Sequence, residues 1–187
     1  MILFRCFPWD REAKSGARGG PLWFPRMLQG PGRHDNPLAY GCLYVSEEPL
    51  SPVVERLARF RGRELTSDKL VSFGRELALA ALELSEAAEL VDLDEPRVLV
   101  QEGLKPSQIA TNDRSVTQMQ ASELFEAHPT AVGLRWWSTF ESLWANVTLF
   151  DRADPVIEVT DVHELDVGDD VVREAAEFLG FTDLDLT

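Results

Sequence analysis

Short apolar segments with strand character alternate with helical segments along the chain, and this alternation restricts the fold more than any other feature of the sequence. The predicted strands cover residues 2–7, 41–46, 131–137, 146–151 and 156–162. The predicted helices cover about 51–62, 113–128 and 169–179. Strands interleaved with helices at both ends of the chain favour a mixed α+β or α/β domain. The 187 residues, 44% of them hydrophobic, are enough for one domain with a sizeable core.

Residues 75–93 fit two different secondary structures. Their Ala, Leu and Glu content favours a helix. The two-residue spacing of Leu77 from Leu79 and of Leu82 from Leu84 favours a strand, and 90–93 has the character of another short strand. Composition and spacing leave both structures open for this segment.

Helix-end signals predict where the helices begin and end. Ser51 is predicted to cap the first helix, with Pro52 in its first helical position. Asn112 or Asp113 is predicted to cap the second helix, and its apolar residues are predicted to face inward. Those apolar residues are Val116, Met119, Leu124 and Phe125. The last helix is predicted to end at Gly180.

Charge is unevenly distributed along the sequence. The formal net charge of −14 argues against a broad surface for a nucleic-acid backbone. Residues 1–63 carry ten Lys/Arg and six Asp/Glu, whereas residues 64–187 carry eight Lys/Arg and twenty-six Asp/Glu. A positive pocket inside an acidic body would suit a small anionic ligand, and a solvated acidic surface is the simpler interpretation.

A long connection rich in Pro and Gly spans residues 8–40 and includes the sequence QGPGRHDNP at 29–37. Loops of more than about 15 structureless residues are uncommon in compact domains unless they are functional or disordered. This one carries apolar side chains that have reason to pack, among them Trp23 and Phe24. We therefore predict that it is a binding loop.

Several common functional motifs are absent from the sequence. The three histidines (His34, His128, His163) are far apart and the two cysteines (Cys6, Cys42) form no CxxC pair, so no metal site is predicted. Neither a GxSxG motif nor a phosphate-binding P-loop occurs. No apolar run reaches about 18 residues and the N-terminus lacks a cleavable apolar segment, so neither a membrane span nor a signal peptide is expected. The low cysteine count favours the cytoplasm.

An ordered set of polar residues stands out against this background. Arg5 lies in the first predicted strand, and Arg33, Tyr44 and Glu55 are spaced eleven residues apart. The segments DRSVTQ, GLRWWSTFES and NVTLFD follow at 113–118, 133–142 and 146–151. In order and spacing, this set resembles the RES domain family, which is named for its arginine, glutamate and serine.

The resemblance implies an α+β fold of the ADP-ribosyltransferase type, with central mixed β-sheets flanked by helices. It implies a single domain over residues 1–187, with the motif-bearing core at 1–151 and an acidic strand and helix at 152–187. Members of this family degrade NAD, in studied cases by phosphorolysis, and are usually the toxins of bacterial toxin–antitoxin pairs. The expected protein is therefore an NAD phosphorylase or glycohydrolase with no cofactor, using phosphate or water as acceptor. Its expected partner is an antitoxin, no direct nucleic-acid binding is expected, and a homodimer stays open.

The resemblance also implies roles for four of these residues. Glu55 would stabilise an oxocarbenium-like sugar or bond a ribose hydroxyl when the nicotinamide–ribose bond breaks. Arg5 and Arg33 would bind the pyrophosphate, because a guanidinium fork can bond two oxygens at once. The ring of Tyr44 would stack on the nicotinamide, whose pyridinium cation favours an aromatic face.

The remaining residues are assigned less narrowly. Either Ser115 or Ser138 corresponds to the family serine, and Ser115 is alternatively a helix cap. Three polar residues are predicted to shape the same pocket: His34, Asn36 and Gln118. Cys6 and His34 stand where the family usually has aromatic residues. Two other functions therefore stay open, ADP-ribose transfer to a macromolecule and catalytically silent binding of a nucleotide or protein.

Overall fold

The computed structural model describes residues 1–182, which form two compact units, each assembled from separate stretches of sequence. Unit 1 contains residue 1 and residues 24–47 and 84–157. Unit 2 contains residues 2–23, residues 48–83 and the described residues from 158 onward.

Strands and helices alternate along the described chain, as the sequence predicts. The strands are β1 (Ile2–Pro8), β2 (Cys42–Ser46), β3 (Val71–Ser72), β4 (Arg75–Leu84), β5 (Leu90–Asp92), β6 (Gly133–Trp137), β7 (Ala145–Phe150) and β8 (Ile157–Glu164). The α-helices are α1 (Leu50–Leu57), α2 (Pro96–Gln101), α3 (Pro106–Ile109), α4 (Arg114–Ala127) and α5 (Asp170–Leu179). Short 3₁₀ segments lie at Arg26–Leu28, Ala58–Phe60, Ser67–Leu70 and Asp151–Val156.

Unit 1 contains a mixed sheet with the strand order β2-β7-β6-β5. β7 pairs antiparallel with β2 and β6, and β5 runs parallel to β6. All six residues of β7 are buried, as expected for an interior strand covered on both faces. The register places Tyr44 of β2 directly opposite Thr148 of β7.

An apolar core joins this sheet to the helices of unit 1. It includes Leu99 of α2, Ile109 of α3, Leu124 of α4 and Leu134 of β6, and all four side chains are buried. The ring of Tyr40 packs between Phe125 and Phe150, with centroid separations of 4.5 and 4.7 Å. Burying large apolar side chains contributes about 1.5–3 kcal/mol each, so this cluster fixes α4 against the sheet.

Unit 2 contains the strands β3-β4-β1 in that order, and β8 also pairs with β4. β4 is antiparallel to both β1 and β3. The helices α1 and α5 pack against each other. Their buried residues are Ser51, Val53, Val54 and Leu57 in α1 and Val172, Ala175, Ala176 and Leu179 in α5. As predicted, α5 ends at Gly180, whose φ of 68° gives a left-handed C-cap.

The ambiguous segment 75–93 forms two strands, β4 and β5, and no helix. β4 pairs with β1 along one edge and with β3 and β8 along the other, so backbone hydrogen bonding on both sides outweighs the helix propensity of its Ala and Leu residues. One face of β4 is buried from residue 78 to residue 84, and on the other face Leu77 is buried while Leu79 and Ala81 are partly buried. This partial burial of the second face explains why apolar residues do not strictly alternate with polar ones.

Three predicted details of the helices are wrong. Ser51 does not cap α1, because Pro49 occupies the N-cap and Ser51 is a buried residue of the first turn. Pro52 is therefore the third helical residue and not the first. Met119 does not face inward and is 55% exposed. The inward face of α4 is instead formed by Thr117, Gln120, Ala121 and Leu124. The short helices α2 and α3 were not predicted.

The predicted fold class is confirmed, because the structure is α+β with a mixed sheet and flanking helices. The cap of α4 is Asp113, one of the two residues predicted for that position, and its side chain accepts the Ser115 N–H. Within the described residues, no helix has both the length and the apolar character needed to span a bilayer.

Candidate functional site

The binding loop predicted at 8–40 ends in a tightly held turn, here called the glycine turn (residues 30–36). The carboxylate of Asp35 stabilises it from inside and is only 6% exposed. Its Oδ2 accepts the N–H groups of Gly30 and Gly32 at 2.7 and 2.8 Å, and its Oδ1 accepts the phenol of Tyr44 at 2.6 Å. Hydrogen bonds to a carboxylate are about twice as strong as those between neutral groups. The buried Asp35 side chain therefore fixes the backbone at both Gly30 and Gly32.

Gly32 is required at its position by this packing. A Cβ there would lie 2.4 Å from Asp35 Oδ1 and 2.5 Å from the Tyr44 hydroxyl, and both are side-chain atoms already held by hydrogen bonds. Any other residue would therefore push the carboxylate away from the phenol. The second glycine of the GPGR sequence is therefore needed because a side chain would not fit there.

Helix α4 holds the other side of the glycine turn. Gln118 Nε2 donates to the carbonyls of Gly30 and Gly32, both at 2.8 Å. Thr117 Oγ1 donates to the Arg33 carbonyl at 2.5 Å, and Asn36 Nδ2 donates to Ser122 Oγ at 3.1 Å. The predicted residues Asn36 and Gln118 thus lie together, and both act on the shape of the turn.

Arg33 is buried, with 6% of its surface exposed. One terminal nitrogen donates to the carbonyls of Ile109 and Thr111 at 2.9 and 2.8 Å, where α3 ends. Its Cζ lies 4.8 Å from the ring centroid of Trp136. The guanidinium therefore joins α3 and β6 to the glycine turn, a structural role that the sequence analysis did not predict.

His34 is 4% exposed and has polar partners on two sides. Its backbone N–H donates to the Tyr44 hydroxyl at 2.9 Å, and its Nδ1 lies 2.8 Å from Thr148 Oγ1. Thr148 Oγ1 also accepts the indole N–H of Trp136 at 3.1 Å. Burial, with a smaller contribution from the positive charges of Arg33 and Arg114, lowers the pKa of His34 to about 3. The imidazole is therefore neutral at neutral pH.

The hydroxyl of Tyr44 is fully engaged by the turn. It accepts the His34 N–H and donates to Asp35, while the His34 and Tyr44 rings are stacked with centroids 6.5 Å apart. Burial raises the pKa of Tyr44 well above its usual value, and the neighbouring Cys42 and Asp35 act in the same direction. Tyr44 stays protonated, so its ring face is the part of the side chain suited to contact a ligand.

The two predicted serines lie in different surroundings. Ser115 is exposed in the first turn of α4, and its hydroxyl donates to Asp113 at 2.6 Å. Ser138 follows β6 and is 2% exposed, and its hydroxyl accepts the Phe140 N–H at 3.2 Å. Ser115 is three residues from Gln118 on the helix that holds the glycine turn.

In unit 2, Arg5 lies in β1 and donates to two loop carbonyls. One terminal nitrogen bonds the Pro21 carbonyl, and the other bonds the Trp23 carbonyl at 3.0 Å. Burial, followed by the nearby charge of Arg56, lowers the pKa of Arg5 to about 9. The adjacent Cys6 is also buried, which raises the pKa of its thiol to about 12 and makes it unreactive.

Glu55, the predicted catalytic acid, lies in α1 of unit 2 and is exposed. The next residue, Arg56, donates through Nε to the Cys6 carbonyl at 3.1 Å and so ties the helix to β1. α1 is therefore attached to the strand that carries Arg5.

Three residues that build the site in unit 1 were not singled out from the sequence: Asp35, Thr117 and Thr148. Asp35 left the clearest signal, because an acid that follows two glycines within a few residues can accept the backbone N–H groups those glycines expose. Thr117 and Thr148 act through contacts more than 80 residues away in sequence, which no local pattern reveals.

Unit 1 also contains an open groove of about 450 Å³ that has none of the predicted site residues in its wall. It lies beside α2 and includes the pair His128 and Glu102, whose Nε2 and Oε1 are 3.1 Å apart. Among the residues from 1 to 182, no group of three His, Cys, Asp or Glu side chains is arranged to hold a metal ion.

Two tyrosines offer a matched test of this hydrogen-bond network. Tyr40 is fully buried and its hydroxyl has no partner among the described residues, so Tyr40→Phe should leave the free energy of unfolding within about 0.5 kcal/mol of wild type or raise it. Tyr44→Phe should lower it by about 1–3 kcal/mol, because Asp35 and the His34 N–H both lose a buried partner. Urea denaturation measures both, and equal losses for the two variants would contradict the network.

His34 predicts how stability depends on pH. Its pKa is lowered in the folded protein, so between pH 6.5 and 3 the unfolded chain binds the proton and the folded chain does not. Stability present above about pH 6.5 is therefore lost as pH falls, by about 2 kcal/mol at pH 5 from this residue alone. In His34→Gln this loss between about pH 7 and pH 5 should be smaller by that amount. Identical pH profiles for the variant and the wild-type protein would contradict the burial of a neutral His34.

Comparison with known proteins supports the resemblance noted in the sequence. A family model of the RES domain matches residues 2–170. A chain of the crystal structure of the M. tuberculosis MbcT–MbcA toxin–antitoxin complex has a similar fold, with a TM-score of 0.64, 16% sequence identity, and coverage of 96% of this chain and 87% of that chain. No curated protein matches the sequence. Since the family model spans most of the sequence, including every predicted site residue, the chain belongs to the RES domain family.

Proposed function

We propose that this protein cleaves the nicotinamide–ribose bond of NAD, with phosphate or water as the acceptor. The observation that carries the proposal is the RES domain match over residues 2–170, which contains the ordered set from Arg5 to Ser138. The rigid glycine turn supports it, because a site that must orient a sugar for attack needs side chains held in fixed positions.

In this reaction the C–N bond breaks and its electron pair goes to the nicotinamide nitrogen, which leaves as a neutral base. The ribose carbon gains positive charge, and the carboxylate of Glu55 stabilises that charge or bonds a ribose hydroxyl. An oxygen of phosphate or water then bonds to the carbon and its proton passes to solvent. When water is the acceptor the product is ADP-ribose, and when phosphate is the acceptor the product is the 1-phosphate of ADP-ribose.

In this proposal Arg5 and Arg33 bind the pyrophosphate, and Arg5 does so through the N–H groups that its two bonds to backbone carbonyls do not use. Arg5 uses one hydrogen bond from each terminal nitrogen for the carbonyls of Pro21 and Trp23. Its Nε–H has no acceptor among the described residues, and a guanidinium carries five donors in a fixed fork. Anchoring to the backbone orients the fork before the ligand arrives, which lowers the entropy cost of binding.

Tyr44 contributes its ring, and it cannot serve as a general acid or base. Both functions of its hydroxyl are occupied by Asp35 and His34, and the pKa of the phenol is raised. Stacking on the nicotinamide ring needs only the aromatic face. His34 is buried and neutral, so it supplies no positive charge to the substrate. It holds Tyr44 in place through the hydrogen bond to its hydroxyl and the contact between the two rings.

Ser115 is the better choice for the serine that bonds the substrate. Its hydroxyl is exposed at the start of α4 and can exchange its bond to Asp113 for a ligand oxygen, whereas Ser138 is 2% exposed.

A toxin controlled by an antitoxin is the biological role that we propose for this activity. The matching solved structure is a toxin–antitoxin complex. The proposal predicts that NAD falls in cells that express the protein alone and is preserved when a cognate inhibitor protein is expressed with it.

The test is mass spectrometry of nucleotides after incubation of the purified protein with NAD, with and without phosphate. We expect loss of NAD and release of nicotinamide, with the second product identifying the acceptor. Glu55→Gln should lower turnover by about 10²–10⁴-fold, because it removes the charge that stabilises the transition state. Glu12→Gln, which changes another exposed carboxylate of unit 2, is the matched control and should retain full turnover.

Intact NAD with the folded wild-type protein in both buffers would contradict the proposal, as would equal turnover in the two variants. Incorporation of label from NAD into protein or nucleic acid would instead identify the reaction as ADP-ribose transfer. Tight binding of NAD without turnover would identify a silent binding protein.

A further inference from the structure

Unit 2 carries a cluster of positive charge that the proposed NAD site does not use. Arg59, Arg61 and Arg63 lie within the six residues after the end of α1, and all three are exposed. None of the three guanidinium groups forms an ion pair with an acid among residues 1–182. Arg18 and Arg97 are also exposed without an ion pair, but each lies apart from other arginines in the sequence, whereas these three fall within one five-residue segment of a chain with a net charge of −14.

The backbone of this segment is fixed by two successive turns. The Arg61 N–H donates to the Ala58 carbonyl at 3.2 Å, and the Arg63 N–H donates to the Phe60 carbonyl at 3.0 Å. Arg61 has φ −46° and ψ 135°, and Gly62 has φ 76°, which are the angles of a type II turn with glycine in its required third position. Residues 59–63 are therefore a preformed loop, here called the arginine turn.

An aromatic ring supports the arginine turn from below. The half-buried ring of Phe60 has Arg59 Cζ at 4.6 Å and Lys69 Nζ at 5.6 Å from its centroid. Lys69 is itself held by Asp68 and by Thr66. The ring orients one arginine, and the 3₁₀ segment that carries Lys69 stays beside the turn.

We propose that the arginine turn is a docking surface for an acidic peptide segment of a partner protein. Planar guanidinium groups match carboxylates in two-point hydrogen bonds, and a preformed turn presents them at little entropic cost. The three clustered arginines have no acidic partners among the described residues. The carboxylates that would pair with them can therefore come from a partner protein.

The same observations disfavour two other occupants. A nucleic acid would meet repulsion from the −14 net charge and would gain only a few phosphate contacts. A second copy of the chain would need about 800 Å² of contact per partner for a stable dimer, far more than a five-residue turn offers. A short acidic segment requires neither a broad positive surface nor a large area.

The probe is a fluorescein-labelled Glu-rich peptide with one central Leu, and its control is the same peptide with Gln in place of Glu. Arg61→Gln/Arg63→Gln is compared with Arg18→Gln/Arg97→Gln, which removes the same charge from two other exposed arginines. Gly62→Ala keeps every charge but strains the turn, because φ 76° is unfavourable for any residue with a Cβ. Fluorescence anisotropy at low and high salt measures binding to each full-length variant.

We expect the Glu-rich peptide to bind and the Gln control peptide not to bind, and we expect the affinity of the Glu-rich peptide to fall as the salt concentration rises. Arg61→Gln/Arg63→Gln should weaken binding by about three- to tenfold and Gly62→Ala by about threefold, while Arg18→Gln/Arg97→Gln should change it by less than about twofold. Equal loss in both double variants would overturn the proposal, because it would reveal general charge attraction only.

Two further outcomes would also overturn it. Oligo(dT) that binds as tightly as the peptide and loses affinity in Arg61→Gln/Arg63→Gln would assign the surface to nucleic acid. A concentration-dependent dimer in sedimentation velocity that this variant abolishes would assign it to a second copy of the chain. Arg61→Gln/Arg63→Gln removes no contact described at the glycine turn, so its NAD turnover should equal that of the wild-type protein. Peptide binding is measured without NAD, so the result can be interpreted even if the proposed enzymatic function is wrong.

Discussion

The buried carboxylate of Asp35 is the interaction on which the site in unit 1 depends. An unpaired carboxylate at this depth would cost several kcal/mol, and it is tolerated because two backbone N–H groups and a phenol bond to it. Those bonds set the path of the chain through Gly30 and Gly32 and the position of Tyr44. The neighbouring Gln118 and Thr117 bond the carbonyls of the same turn, so its backbone is held on both sides.

The arginines of the first third of the chain serve two different purposes. Arg5 and Arg33 are bonded to backbone carbonyls and stabilise loops, although the sequence assigned them only to ligand binding. Arg59, Arg61 and Arg63 are exposed on a turn of their own. The local excess of positive charge over residues 1–63 therefore does not form one pocket. It includes arginines bonded to backbone carbonyls, the ion-paired Arg11 and Arg26, and the exposed cluster at 59–63.

Much of the fold could be predicted from local patterns. β1 and β2 are short apolar runs bounded by Pro or Gly. The start of α4 is marked by Asp113, whose side-chain oxygen accepts a backbone N–H, and the end of α5 is marked by Gly180, whose backbone can adopt a left-handed conformation. β4 could not be assigned, because its Ala and Leu residues favour a helix in isolation and become a strand through pairing on both edges. The spacing of Arg33 and Tyr44 identified two residues of the same site, because Tyr44 bonds to the two residues that follow Arg33. The contributions of Asp35, Thr117 and Thr148 depend on tertiary contacts that no spacing shows.

The most direct test of this account is amide hydrogen exchange of Gly30 and Gly32, followed by NMR in the wild-type protein and in Asp35→Ala. If Asp35 holds the glycine turn, both amides exchange slowly in the wild type although Gly30 is exposed, and they exchange at least about tenfold faster in the folded variant, corresponding to about 1.4 kcal/mol. Exchange of these amides at the rate of an unstructured peptide in the wild-type protein, or unchanged slow exchange in the variant, would contradict it.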